Sequence, residues 1–156
     1  MTALLLLAAL AGCGFKLRGT VEIPRELNPM YLEGGSGDLR AAILQRLEFS
    51  AVQMASQPKE ARILIRILGE SRGSRVVAVD RNGKEIASEL NYRVTFDAVA
   101  PDGGTRVPGQ SFDLRRTYEN TGVEVLGKES EATLIYQDLT QEAADYILGR
   151  LRAALL

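Results

Sequence analysis

Histidine is absent from this chain of 156 residues, and cysteine occurs once, at Cys13. The absence of histidine excludes histidine general bases, histidine metal ligands and Ser-His or Cys-His catalytic pairs within the chain. A single cysteine excludes an internal disulfide. The sequence also lacks a glycine-rich phosphate loop, a nucleophile elbow and a metal-ligand cluster, so it predicts neither a cofactor nor an enzyme.

An excess of basic residues is also lacking. Lysine and arginine total 19 against 20 acidic residues, which gives a net charge of -1. Because nucleic-acid-binding domains usually carry a basic excess, this balance argues against such a partner. Hydrophobic residues make up 46% and charged residues 25% of the chain, which is typical of a globular protein. The length is sufficient for one domain with a hydrophobic core.

The N-terminal segment begins with an uninterrupted apolar run, Ala3–Ala11, that leads through Gly12 into Cys13. The run is too short to span a bilayer, which takes about 20 residues, and no polar face follows until Lys16. Small residues directly before a cysteine are typical of the lipobox, after which bacteria acylate the cysteine and cleave in front of it. A buried N-terminal helix with an inert cysteine is the structural alternative.

The lipobox predicts the organisation of the whole chain. Residues 1–12 form a lipoprotein signal peptide, which we expect to be truncated because no positively charged segment precedes the apolar run. Residues 13–28 form a lipidated tether, and residues 29–156 form a single α/β sandwich domain. Gly14 follows the cysteine, where aspartate usually signals retention in the inner membrane, so we expect the chain to reach the outer membrane.

Hydrophobic periodicity predicts four strands and two helices in this domain. Apolar residues alternate with polar residues in the strands and recur at helical spacing in the helices. Asn82-Gly83 predicts a hairpin, Asp38 is a candidate helix cap, and Pro108 predicts a strand start or a sheet edge. The predicted elements are strands at 30–33, 61–79, 91–98 and 111–118 and helices at 38–50 and 132–154.

The order of these elements predicts an α+β fold, a two-layer sandwich with two helices packed on one face of a mostly antiparallel four-stranded sheet. In this arrangement, polar strand positions face away from the helices. The charged residues at these positions are Arg62, Arg66, Arg93, Asp97, Asp113 and Arg115. Each of them alone is typical of a solvated sheet face, whereas the set predicts an extended polar surface.

Three sequence motifs resemble those of a known family. They are Cys13–Gly19 (CGFKLRG), Arg81–Gly83 (RNG) at the predicted hairpin tip, and Val125–Glu129 (VLGKE) at the start of the last helix. With these motifs in this order and spacing, the chain resembles the LptE family of lipopolysaccharide-assembly lipoproteins over nearly its whole mature length. The predicted order of strands and helices is similar to that of the family as well.

The resemblance implies a partner and a ligand. Proteins of the LptE family lie as a plug inside the outer-membrane β-barrel LptD, help this barrel to assemble, and bind lipopolysaccharide on its way to the cell surface. The resemblance implies the same place for this chain, lipid-anchored on the periplasmic side of the outer membrane and within the barrel lumen. Because the lumen of such barrels is polar, a charged sheet face is compatible with this location.

The same resemblance implies lipopolysaccharide-binding residues. Arg81 and Lys128 match positions that LptE proteins use for lipopolysaccharide, and Lys84 lies beside Arg81 in the sequence. Guanidinium and ammonium groups suit the phosphates that lipopolysaccharide carries near its lipid. The structural alternatives are solubilising charges at a hairpin tip and, for Lys128, a surface ion pair with Glu129 or Glu131.

Two other classes of function stay open from the sequence alone. A different periplasm-facing lipoprotein, acting as a scaffold or binding module, would show the same pattern, because a fold does not define a function. Aspartate and glutamate are plentiful, so a carboxylate pair in a deep pocket would support an enzyme instead.

Overall fold

The computed structural model describes residues 27–48, 50, 52–119 and 125–155, with the side chains of the last helix described from residue 131 to residue 154. The elements in chain order are β1 (Met30–Gly34), α1 (Gly37–Glu48), a short 3-10 helix (Pro58–Glu60), β2 (Ile63–Val79), β3 (Glu85–Val99), β4 (Thr105–Glu119) and α2 (Val125–Leu155). Neither α1 nor α2 combines the length and the apolarity that crossing a membrane requires.

The four strands form one sheet in the order β1-β2-β3-β4, with β1 parallel to β2 and the other neighbours antiparallel. This topology confirms the predicted α+β fold with two helices and a mostly antiparallel four-stranded sheet. The strands are longer than predicted at the hairpins, because β3 begins at Glu85 and β4 begins at Thr105. Pro108 lies inside β4, where its missing N–H is tolerated because β4 is an edge strand.

The hydrophobic core lies between one face of the sheet and the two helices. Ile63, Ile65 and Phe96 of the sheet are 0% exposed. The helical residues of the core are Leu39, Ala42, Ile43, Leu47, Leu139, Ala143, Ala144, Ile147, Leu148 and Leu151. Spacings of three and four residues place each of these sets on one side of its helix, as the sequence predicted. Burial of each large apolar side chain contributes about 1.5–3 kcal/mol, so these contacts hold both helices against the same face.

Strand β1 ends at Gly34, where the chain turns away above β2. Gly34 has a φ of 75°, and a Cβ at this position would lie 2.5 Å from the carbonyl oxygen of Ile67. Glycine is therefore required both for the backbone conformation and for the close approach. Directly after Ile67, the pairing of β2 with β3 shifts by one residue at Leu68, which is a β-bulge.

The bulge changes which residues of β2 face the helices. Ile63, Ile65 and Ile67 face the core before the bulge, whereas Glu70 and Arg72 face the helices after it, opposite two buried residues of β3. Residues 69–75 include no large apolar side chain, so the change of face leaves no hydrophobic pattern in the sequence. The extra residue of the bulge, Leu68, is 55% exposed.

The N-terminus of α1 is capped by Ser36 and not by Asp38. The Ser36 hydroxyl accepts a hydrogen bond from the backbone N–H of Leu39 at 3.2 Å, which is the bond that an N-cap side chain makes. Asp38 lies in the first turn of the helix and forms an ion pair with Arg72 at 3.1 Å. The predicted cap was wrong because the helix already begins at Gly37.

Glu70 joins the start of α1 to the sheet. Its carboxylate accepts hydrogen bonds from the Ser36 N–H at 2.7 Å, the Ser36 hydroxyl at 2.7 Å and the Tyr92 hydroxyl at 2.6 Å. Burial opposes the ionisation of Glu70, but these hydrogen bonds and the nearby Arg72 outweigh it, so the pKa of Glu70 is lowered. Burial and the Glu70 carboxylate raise the pKa of Tyr92, which keeps its hydroxyl a donor.

Candidate functional site

The hairpin tip, which we define as residues 76–86, presents two of the predicted ligand residues in one tight turn. The Asp80 carboxylate accepts hydrogen bonds from the backbone N–H groups of Lys84 at 2.9 Å and Asn82 at 2.8 Å. These bonds lower the pKa of Asp80 and hold the turn. Gly83 has a φ of 79°, which agrees with the predicted Asn-Gly hairpin. Arg81 and Lys84 are both exposed, so the structure places two cations at the same end of the sheet.

Exposed apolar side chains flank these cations on both strands of the hairpin tip. The exposed fraction is 53% for Val76, 57% for Val79 and 39% for Ile86. A cluster of exposed apolar residues with a polar rim is typical of a binding surface. Sequence reasoning assigned the valines to a strand but missed their exposure. The signal that was available is the run Val76–Val79, which does not alternate with polar residues as a half-buried strand would.

The other predicted functional residues are only partly located. Lys128 belongs to α2, which begins at Val125 as its motif predicted, but the Lys128 side chain lies outside the described residues. Its contact with lipopolysaccharide therefore stays a prediction, as does that of the hairpin tip. Cys13, the predicted signal peptide and tether residues 13–26 also lie outside the described residues.

The sheet face opposite the helices, called the open face below, carries polar pairs between β3 and β4. The Arg93 Nε and an Asp113 carboxylate oxygen lie 2.9 Å apart, and the Thr95 and Ser111 hydroxyls lie 2.7 Å apart. Both pairs are directly opposite each other in the strand register. The Arg93 guanidinium lowers the pKa of the Asp113 carboxyl, which therefore keeps its charge.

The open face carries two further pairs between β2 and β3. Arg75 and Glu89 are directly opposite and 2.8 Å apart, and Arg66 donates two hydrogen bonds to the carboxylate of Asp97. Asp97 was predicted to belong to an exposed polar surface, and its strand position is on the open face. The predicted exposure of Asp97 was wrong, however, because the Arg66 guanidinium lies against its carboxylate and leaves the residue only 8% exposed.

The pairing of charges defines what the open face can do chemically. Each of the three carboxylates on Asp97, Glu89 and Asp113 has an arginine directly opposite, so little negative charge is left uncompensated. Exposed ion pairs contribute about 0–1 kcal/mol to stability, so the fold does not depend on them. These paired parts of the open face are therefore suited to lie against another polar surface without a large cost of burying single charges, whereas Arg115 would need a partner there.

Two clefts on the described part of the chain are of a size to hold a small molecule, and neither contains a pair of carboxylates. The first has a volume of about 340 Å³ and is lined on the open face by Arg75, Glu89 and Arg115 among others. The second, of about 350 Å³, lies where β2 begins and is lined by Arg62 and Asp102 among others. Each cleft contains a single carboxylate, which does not match the carboxylate pair that the enzyme alternative requires.

Solved structures share this architecture. The crystal structure of the rare lipoprotein B from Shewanella oneidensis matches with a TM-score of 0.69 at 21% identity, covering 80% of this chain and 94% of that chain. The solution NMR structure of lipoprotein B from Nitrosomonas europaea matches with a TM-score of 0.71 at 22% identity, covering 86% of this chain and 88% of that chain. The fold is therefore one that these two bacterial lipoproteins share with this chain.

Sequence relatives define the family more narrowly. The profile of the LptE family, described as lipopolysaccharide-assembly, matches residues 24–151. The LPS-assembly lipoprotein LptE of Yersinia enterocolitica is 33% identical over 144 residues, which cover 90% of this chain and 69% of the relative. The chain belongs to the LptE family of lipopolysaccharide-assembly lipoproteins, which confirms the resemblance seen in the sequence. A protein of this family is an assembly lipoprotein and not an enzyme.

Proposed function

We propose that this chain is an outer-membrane lipoprotein that plugs the β-barrel LptD, helps it to assemble, and assists the transport of lipopolysaccharide to the cell surface. The observation that carries the proposal is membership of the LptE family over residues 24–151. The relative from Yersinia enterocolitica bears the name LPS-assembly lipoprotein, which favours the same process for this chain. The open face and the hairpin tip supply the physical arguments for a barrel partner and for a lipid ligand.

The open face supports the barrel partner. A barrel lumen is lined by polar side chains, and a plug must exchange its water for these groups without leaving charges unpaired. The directly opposite pairs Arg93–Asp113 and Arg75–Glu89 already compensate one another before any contact is made. The side of the domain away from the helices is therefore the surface that we assign to the barrel wall.

The hairpin tip supports the lipid ligand. Arg81 and Lys84 are able to pair with phosphates, and Val76 and Val79 offer apolar area to acyl chains. Lipopolysaccharide combines both chemistries in one molecule. We assign Arg81 and Lys84, together with Lys128 at the start of α2, to the contact with its phosphates.

The lipid anchor completes the proposal. Acylation of Cys13 after removal of residues 1–12 would attach residues 13–28 as a tether to the periplasmic side of the outer membrane, ahead of a single domain at 29–156. Each buried CH₂ contributes about 0.8 kcal/mol, so several acyl chains hold far more firmly than one. Mass spectrometry of the mature protein should find Cys13 as the first residue with acyl chains attached. A free thiol at Cys13 would contradict the anchor.

The partner is tested by affinity purification of the full chain from outer-membrane extract. We expect one large β-barrel protein in equal molar amount with the chain, identified as LptD by mass spectrometry. A matched sample carrying Arg93→Glu and Arg75→Glu places like charges opposite Asp113 and Glu89. It should recover less barrel, because the barrel contact would then bury uncompensated carboxylates. Purification of the native chain without any barrel would favour a separate scaffold lipoprotein instead.

A further inference from the structure

The first cleft of the open face combines the Arg75–Glu89 pair, which we also assign to the barrel contact, with Gly73, Asn91 and Arg115, which neither the fold nor that contact requires. Its floor is Gly73 of β2, and its sides are formed by Asn91 of β3 and Arg115 of β4, which lie in one row across the three strands. The next row adds Arg75 and Glu89. The cleft has a volume of about 340 Å³, which is within the range of small-molecule sites.

The cleft carries an excess of positive charge. Arg75 pairs with Glu89 at 2.8 Å, and the Arg75 side chain is nevertheless 68% exposed. Arg115 is exposed and forms no ion pair within the part of the chain that the structure describes. Arg115 also lies close enough to Glu89 and Asp113 to lower the pKa of both carboxyls. Asp113 already accepts two hydrogen bonds from Arg93, so the two guanidinium groups of the cleft have more N–H donors than Glu89 is able to accept. An anion between Arg75 and Arg115 would use the remaining donors.

The floor of the cleft at Gly73 is covered by the Asn91 side chain and is held from the helix side. A Cβ on Gly73 would lie 2.5 Å from the Asn91 Oδ1, so the Asn91 amide lies directly across the glycine. On the helix side, the Tyr136 hydroxyl donates a hydrogen bond to the Gly73 carbonyl oxygen at 2.7 Å. The backbone of Gly73 under the cleft is therefore held by α2. The Asn91 side-chain amide is available as a donor and acceptor to a bound molecule.

The carboxylate in the cleft restricts the class of ligand. Glu89 is ionised, since hydrogen bonding to Arg75 lowers its pKa, and an ionised carboxylate only accepts hydrogen bonds. A bare phosphate offers it few donors and is repelled by it, whereas hydroxyl groups donate to it. We propose that the cleft binds a phosphorylated sugar, with its phosphate between Arg75 and Arg115 and its hydroxyl groups on Glu89 and Asn91.

The cleft is tested by isothermal titration of the full chain in detergent with glucose 1-phosphate, glucose and inorganic phosphate. We expect glucose 1-phosphate to bind at least tenfold more tightly than either of the other two, because each of them lacks half of the contacts. Arg115→Gln and Arg75→Gln should each weaken glucose 1-phosphate binding about tenfold. Arg106→Gln is the matched control on β4 outside this cleft, and it should bind like the native chain.

Three results would overturn the inference: no binding to the native chain, an equal loss in Arg106→Gln, or inorganic phosphate binding as tightly as the sugar phosphate. Circular dichroism of each variant checks the fold, and Arg115→Lys, which keeps the charge, should retain part of the affinity. Competition by purified lipopolysaccharide distinguishes its sugars from a free phosphorylated sugar as the natural source, and either source supports the cleft. The cleft is separate from Arg81 and Lys84, and although it shares Arg75 with the barrel contact, that contact is tested by co-purification of the barrel, so failure of the cleft would leave the proposed function standing.

Discussion

Replacement of Glu70 by glutamine is the sharpest test of how the helical layer is attached to the sheet. The glutamine amide keeps one oxygen for the Ser36 and Tyr92 hydroxyls. It places an NH₂ group, however, against the Ser36 N–H, which in the native chain donates to the Glu70 carboxylate at 2.7 Å. One charge-assisted hydrogen bond is lost, and the two others become neutral. Bonds to charged groups contribute about 1.5–3 kcal/mol against 0.5–1.5 kcal/mol for neutral ones, so the three changes sum to about 3.5–6 kcal/mol. Burial opposes the charge of Glu70 but not a neutral amide, which offsets part of this sum, so we expect Glu70→Gln to lose about 2–4 kcal/mol of unfolding free energy.

The measurement is urea denaturation at neutral pH, with the midpoint and slope compared between variants. Glu119→Gln makes the same change at an exposed position on β4 and should alter the unfolding free energy by less than about 0.5 kcal/mol. Tyr92→Phe removes the hydroxyl that donates to Glu70 and should lose about 1–2 kcal/mol of unfolding free energy. The double variant Tyr92→Phe with Glu70→Gln should lose less than the sum of the two single losses, because both changes remove the same hydrogen bond. A loss below about 0.5 kcal/mol in Glu70→Gln would refute the role of this carboxylate.

The remaining predictions concern pH, the end of β1 and the ligand. The pKa of Glu70 is lower in the folded than in the unfolded chain, so the ionised Glu70 stabilises the fold above the unfolded value of 4.5. This stabilisation is lost as the pH falls through the folded pKa. In acid denaturation, the Glu70→Gln variant should therefore lose less stability than the native chain over that range. Gly34→Ala should destabilise the chain by about 1–3 kcal/mol in thermal denaturation, whereas Gly37→Ala, which meets nothing within 4 Å, should not. Arg81→Asp with Lys128→Asp should weaken lipopolysaccharide binding at least tenfold while the barrel still co-purifies, and unchanged binding would remove both residues from the site.

The parts of the structure that the sequence predicted are those that depend on short-range patterns. The core-facing side of β2 was identified by the alternation of apolar and polar residues at Ile63, Ile65 and Ile67, and that of the last helix by its helical spacing. The hairpin was identified by Asn82-Gly83. Each of these signals lies within a few residues and reflects local backbone geometry. Together they were sufficient for the element order and the two-layer arrangement.

The features that were missed depend on contacts between distant parts of the chain. The inward position of Glu70 follows from the bulge at Leu68, and its partner Ser36 is 34 residues away. The covered position of Asp97 depends on Arg66 in the neighbouring strand. No local pattern contains these distances, so the polar attachment beneath α1 could not be predicted. The cap itself is local, since Ser36 bonds to Leu39 three residues away, and it was missed because Asp38 is also a favoured cap residue.

The site was predicted less completely than the fold. Motif order led to the hairpin tip with Arg81 and Lys84, because a turn sequence and its charges are both local. The cleft around Gly73 was missed because its walls come from three strands whose residues are matched only by the pairing register. Glycine in the middle of a strand was a weak signal of this cleft, since it indicates a close approach or open space.

The early end of β1 has a consequence for how the sheet moves. Within the described residues, β2 has a neighbour on both sides only up to Ile67, and beyond it the strand is bonded on the β3 side alone. Backbone amides exchange with solvent according to the local opening that their hydrogen bonds resist. The part of β2 beyond the Tyr136 contact at Gly73, up to Val79, is therefore expected to open more readily than the part up to Ile67, and faster amide exchange there would show it.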